Sequence, residues 1–279
     1  MGRSQGGGAG LTALADTLRC MRSSHDEPLP VRRVTAASVL RWLQLGAGDL
    51  ARVPAASLAQ GLVVAAGGWV VIWLAQHAWW LAPGAFSAFA IVGPILCTGL
   101  YELSRLLGRG QTPGLADALA AWRRDAAPLV QLGFVLGGIA LAWVAVSAAL
   151  FAAFVTTPLA TPMQFLRYAA VDQGNLLFML WLMLGGLTAA VVFALTVVSP
   201  PLLLGRRVGL RRALLTSVRA VGENPLPLAL WAGFIMLAIA LSMATAMLGF
   251  VVAVPLIGHA TWHAYKDLVV TDGVPLRAE

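Results

Sequence analysis

Long uncharged stretches alternate with short charged ones along the chain. No Asp, Glu, Lys or Arg occurs between Pro54 and Glu102, between Ala126 and Leu166, or between Asn224 and Tyr265. A bilayer core about 30 Å thick takes about 20 helical residues at 1.5 Å each, so each stretch is long enough to cross at least once. The first breaks at His77–Pro83, where Trp79 and Trp80 mark an interface, giving spans near 55–76 and 84–104. The second holds a span near 129–153 that ends before Thr156-Thr157-Pro158, and a fourth span runs near 175–204. The last stretch is too long for one helix and bends at Leu248-Gly249, giving spans near 226–246 and 249–268. The pattern predicts an all-α membrane protein with six transmembrane helices.

Polar segments between the spans carry a helical period of their own. Val39, Leu40, Leu43, Leu50 and Val53 form one stripe, with Arg41, Gln44, Gly48 and Arg52 opposite. Leu115, Ala118, Leu119 and Trp122 repeat the pattern against Asp117 and Arg124, and Leu210, Ala213, Leu214 and Val221 repeat it against Arg212, Arg219 and Glu223. Such helices lie in the headgroup plane with arginines toward anionic lipid, or pack as connectors on the bundle. The expected lipid headgroup contacts are Arg41, Arg52, Arg124, Arg212 and Arg219. Each connector is followed by a proline that opens the next span: Pro54, Pro128 and Pro225. Each second span of a pair carries proline in its cytoplasmic half, namely Pro94, Pro200-Pro201 and Pro255. The chain therefore reads as three parallel repeats of amphipathic helix plus two spans, with the even-numbered spans Pro-kinked. Residues 1–35 read as a flexible cytoplasmic tail with one short helix near Leu11–Met21, 36–270 as the membrane domain, and 271–279 as a C-terminal tail.

Composition agrees. Hydrophobic residues make up 59% of the 279 positions and charged residues only 11%, against about 25% charged in soluble domains. These proportions exclude a soluble enzyme, a disordered chain and a disulfide scaffold. The net charge of +7 comes from eighteen Arg and Lys266, and charge tests the six-span division. Only Arg167 among the 19 basic residues, and only Asp172 among the 12 acids, falls on the far side. Basic loops stay in the cytoplasm, so both termini are expected there. No cleaved signal peptide is expected, because no apolar run precedes the first span. The arginines punctuate apolar runs rather than forming a solvent-facing reading surface, so no nucleic-acid partner is expected.

Candidate chemistry is sparse. His259 and His263 are four apart on one helical face and could ligate Zn or Cu if other residues completed the shell. Otherwise they join Trp262, Tyr265 and Lys266 in an interfacial belt. Glu102 pairs with Arg105 at the surface, or meets His263 at equal depth in a proton-responsive pair if spans 2 and 6 are equivalent. Each kink proline frees backbone carbonyls, those of Ala90, Thr196, Val197 and Val251, which line a cleft or simply let the helices converge. No catalytic set is present, no cofactor is implied, and no charged residue lies within a span's core.

Several runs together resemble a known family: Val31-Arg32-Arg33-Val34, Trp42 to Leu50, Gly93-Pro94-Ile95-Leu96 through Gly99-Leu100-Tyr101-Glu102-Leu103-Ser104-Arg105, Thr216 to Val221 with Asn224-Pro225, and Gly258 to Asp267. The chain is similar to the bacterial predicted integral membrane proteins catalogued as domain of unknown function two-one-eight-nine. The resemblance implies a six-span inner-membrane protein of unassigned function. Where that family often has acids after the fourth-span proline, this chain has Leu204-Gly205-Arg206-Arg207. Three readings of function stand: a non-enzymatic scaffold or assembly subunit with a membrane-protein or homo-oligomeric partner, a channel or transporter for a neutral or amphipathic solute, and a metal- or haem-binding respiratory accessory protein using His259 and His263.

Overall fold

The structure, a computed structural model, describes residues 27–75, 81–123, 127–155 and 176–277. The short helix expected near Leu11–Met21 and the headgroup contact expected at Arg124 lie outside the described residues. All regular structure in the described residues is helical. In chain order the helices are α1 (Ala37–Arg52), α2 (Pro54–Ala75), α3 (Ala82–Leu96), α4 (Thr98–Leu107), α5 (Leu115–Ala120), α6 (Ala127–Phe154), α7 (Leu176–Thr196), α8 (Ser199–Gly205), α9 (Leu210–Glu223), α10 (Pro225–Ala244) and α11 (Phe250–Leu268).

Five helical stretches are long and apolar enough to cross a membrane: Pro54–Leu74, Ala82–Leu107, Ala127–Phe154, Leu176–Gly205 and Pro225–Ala244. The sixth expected span, α11, has 19 residues but is not among them. Its second half carries His259, His263, Lys266 and Asp267, and that half is packed in protein, with His259, Ala260, Ala264, Tyr265 and Leu268 all buried. The other spans are exposed. In Leu176–Gly205 only 11% of the most apolar window is buried inside the molecule, and Phe134, Leu141, Met183 and Met236 stand outward on their helices. An apolar surface this continuous needs lipid around it.

Prolines divide the elements, each in its own way. Val53 and Asn224 precede Pro54 and Pro225, and a residue before proline is driven out of the α region. The two joints adopt nearly the same backbone, φ −132 and ψ 57 at Val53 and φ −132 and ψ 54 at Asn224. Each then accepts a hydrogen bond on its carbonyl, from the N–H of Ser57 or Leu228. Pro94 lies inside α3, which ends two residues later and passes through Cys97 into α4. Side chains cover the carbonyls at this break: Gln60 Nε2 donates to Leu96 O (3.0 Å), Thr98 Oγ1 to Ile95 O (2.6 Å) and Tyr101 OH to Pro94 O (3.3 Å). The sequence predicts a kink within one helix at Pro200 and Pro201, and the helix instead breaks before them. α7 ends at Thr196, and the two prolines sit in the first turn of the separate helix α8, where a missing N–H costs nothing. Pro255 does lie inside α11. The Val251 carbonyl it frees faces α2 at Gly61, where an added Cβ would sit 2.3 Å from that oxygen.

The bend expected at Leu248-Gly249 is a tight turn between α10 and α11. Ala246 and Met247 take positive φ (49° and 71°), a strained choice for residues with side chains. Trp69 Nε1 donates to Ala246 O (2.7 Å), and Met247 is buried against Gly68 on α2. At the opposite end of α11 four segments join. Val31 bridges Val269, Arg206 bridges Leu276, and the Asn224 side chain bonds the backbone at Arg32 and Val34. The N-terminal segment, the end of α8, the α9–α10 joint and the C-terminal tail therefore share one end of the bundle.

The connector helices bury part of the expected stripes, with Val39, Ala118 and Ala213 in the core and Leu43, Val53, Leu210, Leu214 and Val221 partly buried against it, and bury small and polar residues besides. α1 turns Ser38, Val39, Trp42, Gly46 and Asp49 inward, while Leu40 and Leu45 are exposed. α5 buries Ala118 and exposes Leu115 and Leu119, and α9 buries Ala213, Thr216, Ser217 and Ala220 and exposes Leu215 and Val218. Small residues face the bundle because they allow helix backbones to approach closely. An added Cβ at Gly46 would fall 2.7 Å from the backbone nitrogen of Ala260, so α1 lies directly against α11.

Candidate functional site

The densest buried polar cluster forms where α1, α2 and α4 meet the middle of α11. His259 is fully buried. Its Nδ1 lies 2.7 Å from Ser104 Oγ on α4, and its Nε2 lies 2.8 Å from Ser57 Oγ on α2. Ser104 Oγ also donates to Asp49 Oδ2 on α1 at 2.7 Å, and His263 Nε2, one turn along α11, meets the same oxygen at 2.8 Å. One carboxylate thus joins two histidines, one directly and one through a serine.

Proton counting fixes the roles. A hydroxyl has one proton and a carboxylate has none to give, so Ser104 donates to Asp49 and accepts from His259 Nδ1–H. With a neutral ring, His259 Nε2 then accepts from the Ser57 hydroxyl. That hydroxyl also lies 2.9 Å from the Val53 carbonyl, so if His259 is charged Ser57 can turn to Val53 and accept from Nε2–H. The network is satisfied in both protonation states by rotating one hydroxyl. Burial pushes the Asp49 carboxyl up, but hydrogen bonds from His263 and Ser104 and the charge of both imidazoles outweigh it and hold it below the usual carboxylate range. Arg52 stands 4.0 Å away and mostly in the open.

The structure brings His259 and His263 together with Asp49, which the sequence reading did not select. His263 meets Asp49, not Glu102. Glu102 is 1% exposed and holds Arg105 in a two-pronged pair, Nε to Oε2 at 2.6 Å and Nη2 to Oε1 at 2.7 Å. The i,i+3 pairing is as expected, but it is buried rather than a surface contact. Ser57 and Ser104 were also missed, and no motif marks them. Asp49 had a signal: it is the one acid between Glu27 and Glu102, and it follows Trp42 and Gly46 at helical spacing.

The hydroxyl, imidazole, hydroxyl and carboxylate in line look like a relay for nucleophile activation. Ser57 is fully buried, however, so no substrate reaches its oxygen. Both ring nitrogens of His259 are engaged by serines, and a metal would have to displace them. Among the described residues no three His, Cys, Asp or Glu are grouped closely enough to hold a metal ion. A half-open cavity of about 300 Å³ does lie at the Pro94 break. It is lined by Ile95, Thr98, Trp122, Leu129, Gly133 and Phe134 among others, is almost wholly apolar, and shares no lining residue with the histidine cluster. The arginines expected at headgroups have protein partners where described. Arg41 pairs with Asp267, Arg212 Nε donates to the Glu27 carbonyl (2.8 Å), and Arg219 Nε donates to Glu223 (2.6 Å).

No curated protein and no solved structure is similar to this chain. Residues 81–205, from α3 through α8, match the family described as predicted integral membrane protein (DUF2189), the family its sequence motifs resemble.

Proposed function

We propose that the chain is a six-span protein of a bacterial inner membrane, with both termini in the cytoplasm, acting as a non-enzymatic scaffold or accessory subunit. Three amphipathic-helix-plus-two-span units in parallel make up the bundle, and α11 is the sixth crossing. Two observations support the topology. The α10–α11 turn sends α11 back along α2, and the backbone pairing of 31 with 269 and of 206 with 276 gathers basic segments at one end, as cytoplasmic retention of Arg requires. The matching geometry at Val53-Pro54 and Asn224-Pro225 supports the repeat.

The observation that carries the scaffold reading is the closure of the polar network. Asp49, His259, Ser57 and Ser104 are spent on each other, clamping α1, α2, α4 and α11 with no room for a substrate, while broad apolar faces are left outward. A buried network of this kind rigidifies one arrangement of helices. Extraction in mild detergent tests it: a defined protein partner or a homo-oligomer is the expected result, and a solitary monomer contradicts it. A second reading, passage or binding of an amphipathic solute, is favoured by the cavity at Thr98 alone. Filling it by Gly133→Phe discriminates: the scaffold reading predicts unchanged assembly, and the solute reading predicts lost binding.

A further inference from the structure

Three positive side chains from separate stretches of the chain meet at the end of α11. Arg32 donates from Nη1 to the Lys266 carbonyl at 3.4 Å, and its backbone N–H bonds Leu268 O at 2.7 Å. Arg206, just past α8, donates from Nη1 to Val274 O at 2.7 Å, and its neighbour Gly205 lies against α11, where an added Cβ would sit 3.6 Å from the Tyr265 phenol oxygen. Lys266 is the exposed cation of the last turn of α11. Among the described residues none of the three is in an ion pair with a carboxylate. The neighbouring acid, Asp267, is turned away to Arg41 and Trp42 Nε1. The convergence is built into the backbone, because Val31 bridges Val269 and Arg206 bridges Leu276 on either side of it.

A helix C-terminus carries roughly half a negative charge, which accounts for one cation here but not for three. Like charges held together by a rigid frame gain most from a compact anion. Guanidinium forks and an ammonium match the oxygens of a phosphoryl group. We propose that Arg32, Arg206 and Lys266 bind a phosphate group, carried either by a lipid headgroup or by a soluble phosphate.

The test is thermal unfolding of the full chain, stripped of lipid in a neutral detergent. It is run with added inorganic phosphate and, separately, with phosphatidylglycerol in mixed micelles, at ionic strength held constant with chloride. The wild type is expected to gain stability from at least one of them. Gain from inorganic phosphate points to a soluble ligand, and gain from phosphatidylglycerol alone to a headgroup. Lys266→Gln should unfold at a higher temperature than wild type without anion, since repulsion is relieved, yet bind the anion about tenfold more weakly, the effect of losing one charge-assisted hydrogen bond. A lysine serving only the helix terminus would give the opposite sign without anion. Arg206→Lys, which keeps the charge and loses the fork, should also weaken binding, and it serves if the first variant does not fold. No anion-dependent gain in the wild type, or equal gain in whichever variant folds, overturns the proposal.

Discussion

Asp49 is where one atom matters most. Its Oδ2 receives both Ser104 and His263, and it is 5% exposed. Replacing it by Asn removes a charged acceptor and is expected to cost about 1.5–3 kcal/mol, read from unfolding in detergent at neutral pH. The sign of its pH dependence follows from its lowered pKa. The carboxylate's contribution is complete above the ordinary Asp value of about 3.9 and is lost as pH falls through the lower folded value. Wild type should therefore lose stability on acidification in that range, and Asp49→Asn should lack that component. Gly61 is the backbone counterpart. A Cβ there meets the Val251 carbonyl, so Gly61→Val should destabilise by roughly 1–3 kcal/mol or more. Gly137→Ala, where nothing lies within 4 Å, should leave the isolated chain unchanged. Gly61 does not stand out in the sequence by type; it is decided by what α11, distant in the chain, brings opposite it.

Elements were far more legible than contacts. The spans expected near 55–76, 129–153 and 226–246 match α2, α6 and α10 to within two residues at each end, because their boundaries are set locally by prolines and by the loss of apolar residues. The stripe expected on α1 divides once its neighbours are in place: Leu43 and Val53 pack partly against the core, while Leu40 is exposed. In lipid, apolarity no longer distinguishes inside from outside, and small or polar residues mark the packed face. The clamp on α11 makes a prediction at this scale. Asp49 and His259 lie on different helices and are linked by hydrogen bonds through Ser104, so a double-mutant cycle of Asp49→Asn with His259→Ala should show coupling of at least about 0.5 kcal/mol. Additive effects would mean that the serine link contributes nothing. At the far edge, Val31 and Val269 form an antiparallel bridge, a pairing that holds Cα atoms about 4.5–5.5 Å apart, within disulfide range. Cysteines at both positions should cross-link on oxidation, and either alone should not.

For the molecule as a whole, the sorting of charge and the joining of segments point the same way. Charge alone grouped the N-terminal tail, the 105–127 and 205–223 loops and the C-terminal tail; hydrogen bonds from Asn224 to Arg32 and Val34 and the bridges Val31–Val269 and Arg206–Leu276 tie the first, third and last of these together. What charge could not reveal is how far the second half of α11 is packed in protein. Its histidine-bearing half is a protein-packed post around which α1, α2 and α4 are clamped. The account therefore depends on α11 returning the chain to the side from which α2 left. Reporter fusions test that directly. A tag active only outside the cytoplasm should stay silent after residue 277 and be active when placed beside Arg167. Activity at the C-terminal site, or silence beside Arg167, would contradict the six-span arrangement and the scaffold built on it.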